Sequence, residues 1–142
     1  MTFALRAAST LLLAIGSLAN AQQSEANVEI VGRFVDAYNA QDPKAMEALV
    51  ADDVTWLSVA GESIAVEARG RDELLSSMAT YFAGCPTCRA SLSDFTVTSQ
   101  RVSAVETASW QKDGAMMSQR ALAVYELTEG RISRVYYFSA EP

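Results

Sequence analysis

The stretch that decides the fold is residues 28–59, VEIVGRFVDAYNAQDPKAMEALVADDVTWLSV. In its first half, apolar residues recur at intervals of three and four, which is typical of a helix with one buried face. These residues are Val28, Val31, Phe34, Val35 and Tyr38. The spacing predicts a helix over residues 28–41.

A second, short helix is predicted to follow at once. Asp42 suits the N-cap of a helix and Pro43 suits its first position, where the missing N–H costs nothing. Met46, Leu49 and Val50 would then form its inward face. The chain therefore turns a sharp corner between two helices.

The next segments predict a strand, a loop with a short strand, and a third helix. Residues 54–59 are rich in β-branched and aromatic residues, which favours a strand, and residues 63–68 form the possible short strand. The third helix follows Gly70, with acidic residues in its first turn that suit the helix dipole, and ends at Gly84. Its inner face is expected to consist of Leu74, Leu75, Met78, Tyr81 and Phe82.

Everything after Cys88 predicts strands, over residues 90–100, 102–112, 115–127 and 131–139. Asp113-Gly114 is a strong signal for a two-residue hairpin. Helices followed by a long antiparallel meander indicate the α+β class. We expect a cone-shaped fold of three N-terminal helices packed on a strongly curved, mostly antiparallel sheet.

The N-terminus predicts an export signal over residues 1–21. Arg6 precedes an apolar run over residues 7–18, and Ala19-Asn20-Ala21 supplies small residues for cleavage before Gln22. The run is shorter than the ~20 residues of a membrane-spanning helix, so the alternative of an N-terminal membrane anchor is disfavoured. We expect one domain, residues 22–142, in the periplasm or secreted, with no membrane association after cleavage.

The charge balance disfavours nucleic acid as a partner. Of eleven basic residues, removal of Arg6 leaves ten against seventeen acidic ones, a net charge of about −7 on the mature chain. Phosphate-binding loops, Ser-His-Asp sets and zinc motifs are missing from the sequence, which also has no histidine. We expect no cofactor and no metal.

The two cysteines, Cys85 and Cys88, lie in Gly84-Cys85-Pro86-Thr87-Cys88. In an exported protein they are expected to form a structural disulfide. A redox-active pair is the weaker alternative, because the motif follows a helix and precedes a strand, whereas thioredoxin-like motifs begin a helix. Free thiols are the third alternative.

Four segments resemble the nuclear transport factor 2-like superfamily, and within it the SnoaL-like branch. They are RFVDAYNAQD (residues 33–42), LVADDV (49–54), GRDEL (70–74) and YELTEGRI (125–132). The resemblance implies the cone fold and a homodimer formed through the outer face of the sheet. Members include ketosteroid isomerases, polyketide cyclases, epoxide hydrolases and scytalone dehydratases, so the fold does not define a function.

The catalytic residues of these enzymes are mostly missing here. The oxyanion-stabilising tyrosine, the aspartate base and the second acid of ketosteroid isomerase fall on Phe34, Ser58 and Ala123. Neither phenylalanine nor alanine can donate or accept a proton. The Asp-Arg-Asp set of limonene epoxide hydrolase falls on Glu106, Ala104 and Tyr137. The histidines of scytalone dehydratase have no counterpart.

Glu106 is the best catalytic candidate. Alternation along residues 102–112 places it in phase with apolar residues, and a carboxylate on an apolar face has a raised pKa. The simpler alternatives are an inward glutamate paired with Arg69 or Arg71 or solvated at the cone mouth, or an incorrect assignment of the two faces. Tyr137 is the expected polar contact for a bound molecule, since a buried phenol must find a hydrogen bond. It is also the residue that would assist Glu106 in catalysis.

The predicted ligand-binding lining is mainly aromatic, which suits an apolar molecule with one or two polar groups. It comprises Phe34, Tyr38, Trp56, Ser58, Met78, Tyr81, Phe82, Trp110, Gln119, Tyr125 and Val135. Taken singly, each aromatic residue is also what any protein core would contain.

Three functions remain open. The first is an exported domain that binds a small apolar molecule without turnover. The second is an isomerase, cyclase or hydratase-type enzyme that uses Glu106. The third is a homodimeric protein-interaction module whose exposed sheet face carries Arg134, Tyr136 and Phe138.

Overall fold

A computed structural model describes the backbone of residues 7–141 and the side chains of residues 16–141. Helix α1 (Ala7–Asn39) is longer than predicted. It begins inside the predicted export signal, whose Ala- and Leu-rich composition favours helix; Arg6 lies outside the described residues. Residues 16–23 are exposed, and the first buried side chain is Asn27. Within residues 7–141, no helix combines the length and apolar character needed to cross a membrane.

Helix α2 (Pro43–Glu47) is capped as predicted, because the Asp42 Oδ1 accepts a hydrogen bond from the backbone N–H of Ala45 at 3.0 Å. The placement of Leu49 and Val50 on this helix was wrong. Both are buried, but they lie at the start of the sheet: the Leu49 carbonyl accepts from the N–H of Ile132, and Val50 pairs with Ile132. Long-range strand pairing therefore ends the helix one turn early.

Helix α3 (Arg71–Gly84) follows Gly70, whose φ of 82° is accessible mainly to glycine. The Glu73 Oε2 accepts a hydrogen bond from the backbone N–H of Arg69 at 2.8 Å, which ties the first turn of the helix to the strand before it. Leu74 and Phe82 are the buried residues of this helix.

Six strands form one sheet in the order β2-β1-β6-β5-β4-β3. All neighbouring pairs are antiparallel except β1 with β6, which is parallel. The bounds are β1 (Val50–Ala60), β2 (Ser63–Arg69), β3 (Arg89–Val97), β4 (Arg101–Lys112), β5 (Ala115–Thr128) and β6 (Arg131–Phe138). The chain is thus an α+β domain with a curled, mostly antiparallel sheet, as predicted.

Two tight turns set the register of the last three strands. Asp113 and Gly114 have φ of 53° and 80°, and Glu129 and Gly130 have φ of 51° and 72°. Left-handed conformations at both central residues are typical of the hairpin turn that matches strand twist. Lys112 therefore pairs with Ala115, and the register of β4 with β5 continues without a shift.

The helices cover the inner face of the sheet and enclose a continuous core. Its buried members include Val31 and Phe34 from α1, Leu74 from α3, and Tyr125 and Val135 from the sheet. The arrangement leaves one face of the sheet uncovered by the helices.

Candidate functional site

Glu106 lies on the inner face of β4, where it pairs with Ala121 of β5. The adjacent inner position on β4, Ala104, pairs with Ala123, and all three alanines are buried. Methyl groups occupy little volume, so this part of the inner face has room for longer side chains. Long side chains from neighbouring positions can therefore converge over the alanines.

Two phenols donate hydrogen bonds to the carboxylate. The Tyr137 Oη donates to Oε1 of Glu106 at 3.0 Å, and the Tyr125 Oη donates to Oε2 at 3.4 Å. Tyr125 is 1% exposed, while Glu106 and Tyr137 are partly exposed. The three side chains form one hydrogen-bonded cluster. The sequence pattern predicted that they share the inner face and did not predict the hydrogen bonds between them.

Burial raises the pKa of Glu106, and the hydrogen bonds from Tyr137 and Tyr125 partly offset that rise. Burial also raises the pKa of Tyr137, and the nearby charge of Glu106 and the hydrogen bond to it add to the rise. The pKa of Tyr125 is raised by burial first and by Glu106 second. Both phenols therefore stay protonated and act as donors.

Aromatic rings surround the cluster. The Trp56 ring stacks on Tyr137 with centroids 6.4 Å apart, and Phe34 contacts Trp56 at 6.1 Å and Tyr125 at 6.5 Å. Phe34 and Tyr125 are buried, whereas Trp56 and Tyr137 are partly exposed. We call Glu106, Tyr125, Tyr137, Trp56 and Tyr38 the Glu106 site.

A second pair of phenols continues the site toward the disulfide. The Tyr38 Oη donates to Tyr81 Oη at 3.2 Å, and Tyr81 donates to Sγ of Cys88 at 3.2 Å. Burial and the Tyr81 hydrogen bond raise the pKa of Tyr38, and the charge of Glu106 contributes. Cys85 and Cys88 are joined in a disulfide, which confirms the predicted pairing.

The remaining predicted lining residues are less closely grouped. Phe82 is buried and its ring lies 5.3 Å from that of Tyr38, while Val135 is fully buried. Ser58, Met78 and Trp110 are partly exposed. Tyr81 is 45% exposed.

Gln119 lies on β5 and is exposed. It lies on the same face of β5 as the buried Ala121 but nearer the Asp113-Gly114 turn, where it pairs with Ala108. Its contact with a ligand stays a prediction.

Neither arginine proposed as a partner of Glu106 forms a salt bridge with it. Arg71 Nη1 lies 2.7 Å from Oδ1 of Asp52 and its Nε lies 4.0 Å from Oε1 of Glu47. Among the side chains of residues 16–141, the salt bridges involve other carboxylates than Glu106. The carboxylate is thus held by phenols alone.

A cavity of about 310 Å³ lies away from the Glu106 site. It is bordered by the middle of α1, the turn between β3 and β4, and the turn between β5 and β6. The buried Asn27 at its edge donates from Nδ2 to the Ser99 carbonyl and accepts from Gln23 Nε2. In residues 16–141, acidic and cysteine side chains do not cluster in groups of three suited to a metal ion.

Sequence reasoning missed the hydrogen bonds of Tyr137 and Tyr125 to Glu106 and the hydrogen bond between Tyr38 and Tyr81. The available signal was the Asp113-Gly114 turn, because counting outward from it gives the register of β4 with β5 and places Glu106 opposite Ala121. It does not give the reach of the tyrosine side chains across the sheet.

The chain belongs to the SnoaL-like domain family, whose profile matches residues 31–135. An uncharacterised cystatin-fold protein from Novosphingobium aromaticivorans is 26% identical, with a TM-score of 0.69 over 80% of this chain and 97% of that one. A candidate SnoaL-like polyketide cyclase from Jannaschia sp. is 16% identical, with a TM-score of 0.67 over 81% and 85% of the two chains.

A further structural neighbour is an LEH-like epoxide hydrolase from M. tuberculosis, 17% identical, with a TM-score of 0.67 over 83% of this chain and 84% of that one. At such identities the likeness shows the shared cone fold alone. No protein of curated function matches the chain in sequence.

Proposed function

We propose that this protein is an exported domain that binds a small, mainly apolar molecule beside Glu106. The observation that carries the proposal is a carboxylate on the inner face of a sheet, held by the hydroxyl groups of Tyr125 and Tyr137 and bordered by aromatic rings. A carboxylate in such surroundings costs free energy unless a partner compensates it. A site that retains this cost is typical of ligand binding or catalysis.

The exposure pattern supports access to the site from solvent. Glu106, Trp56, Tyr137 and Tyr38 are all partly exposed, although each contacts buried neighbours. Their rings offer apolar area, and the hydroxyls of Tyr137 and Tyr125 meet at the carboxylate of Glu106. Sites that combine aromatic walls with a few polar groups favour molecules that have an apolar body and one or two polar groups.

Export is supported by the sequence at residues 1–21 and by the Cys85–Cys88 disulfide, which persists in oxidising compartments. Residues 16–23 are exposed and lie within α1, so cleavage before Gln22 requires the helix to unfold locally there. Expression of the full chain in a bacterium tests this: mass spectrometry of the periplasmic fraction should find a chain that begins at Gln22. An uncleaved chain in the cytoplasm would contradict export.

A thermal-shift screen tests binding. The oxidised protein is heated with steroids, terpenoids, aromatic polyketides and fatty acids, beside Glu106→Gln and the control Glu62→Gln, whose side chain is exposed in the β1–β2 turn. A ligand at a hundred times its Kd should add about 2.7 kcal/mol of stability. We expect one class to stabilise the wild type and the control, and Glu106→Gln to respond differently. Identical responses of all three proteins would contradict the proposal.

A second candidate function is acid–base catalysis of the isomerase, cyclase or hydratase type. It is favoured by the raised pKa of Glu106, which moves a carboxylate toward values useful for proton transfer near neutral pH. Glu106 would move the proton and Tyr137 would hold its carboxylate. Turnover assays on the class found in the screen test this, because Glu106→Gln should abolish turnover while binding persists.

A third candidate is a homodimer formed through the outer face of the sheet. On this face Leu122 is 43% exposed, and Val124, Tyr136 and Phe138 are only partly buried. Uncovered apolar side chains in one patch favour association. Light scattering should give twice the monomer mass for the wild type and the monomer mass for Leu122→Glu; a monomeric wild type would contradict the dimer.

A further inference from the structure

The hydroxyl protons of the tyrosines in and next to the Glu106 site are all used in hydrogen bonds. Tyr125 and Tyr137 donate to the two oxygens of Glu106, Tyr38 donates to Tyr81, and Tyr81 donates to Cys88. Each phenol has one proton, so the four hydroxyl groups are all engaged. An ionised carboxylate has about four lone-pair sites, and the phenols use two of them. The Glu106 carboxylate therefore still has about two lone-pair sites that can accept hydrogen bonds.

Within residues 16–141, no arginine or lysine forms a salt bridge with Glu106, so its carboxylate has no counterion among them when it is ionised. The salt bridges formed within residues 16–141 involve Asp52, Asp94, Glu47 and Glu126, and the nearest hydrogen-bond partners of Glu106 are neutral phenols. A partly buried charge without a partner is destabilising, and a ligand of opposite charge compensates it. A cationic group would supply both the missing charge and the donor hydrogens.

The walls of the site suit the same ligand. The Tyr137 ring carries the hydroxyl that donates to Glu106, and Trp56 stacks on that ring. Tyr38 is close enough for the charge of Glu106 to raise its pKa. The faces of tryptophan and tyrosine rings attract ammonium groups. The mature chain also carries a net charge of about −7 (ten basic and seventeen acidic residues), which attracts cations and repels anions.

We propose that the Glu106 site selects an organic amine in its protonated form, whose ammonium group donates to the free lone pairs of Glu106 while its hydrocarbon part lies against Trp56 and Tyr137. This inference rests on the proposed binding function and names its ligand class. A ketone would present lone pairs to the carboxylate, and a carboxylic acid would add a second negative charge. Both are therefore disfavoured.

The test uses four compounds on one bicyclic skeleton: 2-aminotetralin, 2-tetralol, 2-tetralone and tetralin-2-carboxylate. Affinities are measured by isothermal titration calorimetry at pH 7 on the oxidised protein. A hydrogen bond to a charged donor exceeds a neutral one by about 1.4 kcal/mol, so the amine should bind about tenfold more tightly than the alcohol. The ketone and the carboxylate should bind more weakly still.

Two variants locate the effect. Glu106→Gln removes the charge at nearly constant volume and should bring the amine within about twofold of the alcohol. Tyr137→Phe keeps the carboxylate, so the amine should still bind most tightly of the four compounds. That result would show that the ranking of affinities follows the charge of Glu106 rather than the integrity of the fold. A ketone or carboxylate that binds as tightly as the amine would overturn this inference and leave the binding function standing. Failure of all four compounds to bind would overturn this inference, and a thermal-shift screen that also finds no stabilising ligand would overturn the binding function with it.

Discussion

Replacing Tyr137 by phenylalanine tests the geometry of the site most sharply. The substitution removes one oxygen and keeps the ring that stacks on Trp56. It deletes the 3.0 Å hydrogen bond to Oε1 of Glu106 and leaves only the longer 3.4 Å bond from Tyr125. The change therefore separates the hydrogen bond from the packing.

The expected cost follows from the charge of the acceptor. A hydrogen bond to a charged group contributes about 1.5–3 kcal/mol, and a bond between neutral groups about 0.5–1.5 kcal/mol. The free energy of unfolding should fall by about 2 kcal/mol where Glu106 is ionised and by about 1 kcal/mol where it is protonated. Because the ionised form loses more than the protonated form, the substitution should raise the pKa of Glu106 further.

The assay is urea unfolding of the wild type and Tyr137→Phe at a series of pH values. Tyr136→Phe is the matched control, because Tyr136 is the adjacent residue on the opposite face of β6, where its hydroxyl accepts only a 3.5 Å contact from Arg134. We expect the control to change stability by less than about 0.5 kcal/mol at every pH. A Tyr137→Phe effect that is equally small, or that is independent of pH, would refute the described hydrogen bond.

Three further predictions follow from named contacts. Burial raises the pKa of Glu106 above its ordinary value of 4.5, so the native state holds a proton that the unfolded chain has lost, and stability falls as pH rises through that window; urea unfolding of Glu106→Gln should lack this fall. Asn27→Ala leaves the Ser99 carbonyl without its partner and should cost about 1–3 kcal/mol in the same assay. Replacing Cys85 and Cys88 together by serine opens a short loop and should cost about 2 kcal/mol, measured against the wild type without reductant.

Local signals predicted much of the fold. The Asp113-Gly114 turn needs φ above zero at both residues, and aspartate followed by glycine is one of the few pairs that adopt this conformation readily. The Asp42 cap likewise depends on a contact three residues away. Such features are encoded within a few residues, so a single sequence is enough to predict them.

Non-local contacts account for what was missed. Leu49 and Val50 continue a helical pattern, but pairing with Ile132, more than 80 residues later, places them at the start of β1. Helix α1 extends N-terminal to Val28 because the residues before it also favour helix. In both cases the local pattern is ambiguous and the tertiary contact or the neighbouring composition decides.

The candidate site was predicted in its residue types and not in its connections. Alternation placed Glu106 on the inner face, and Tyr137 was predicted as a polar contact for a ligand and a helper of Glu106. The 3.0 Å hydrogen bond between the two residues was not predicted. The contact from Tyr125 depends on the room left by Ala121 and Ala123, and on the curl of the sheet. These properties belong to the assembled sheet and have no signature in one strand.

The most direct test of binding at the Glu106 site is an NMR titration that follows the indole N–H signals. The chain has only two tryptophans, Trp56 beside Tyr137 and Trp110 near the end of β4, so the two signals can be assigned by substitution. Titration of the oxidised protein with 2-aminotetralin should shift the Trp56 signal strongly, together with the backbone signals of Glu106 and Tyr137. Shifts confined to residues around Asn27, or no shift at saturating ligand, would contradict the account.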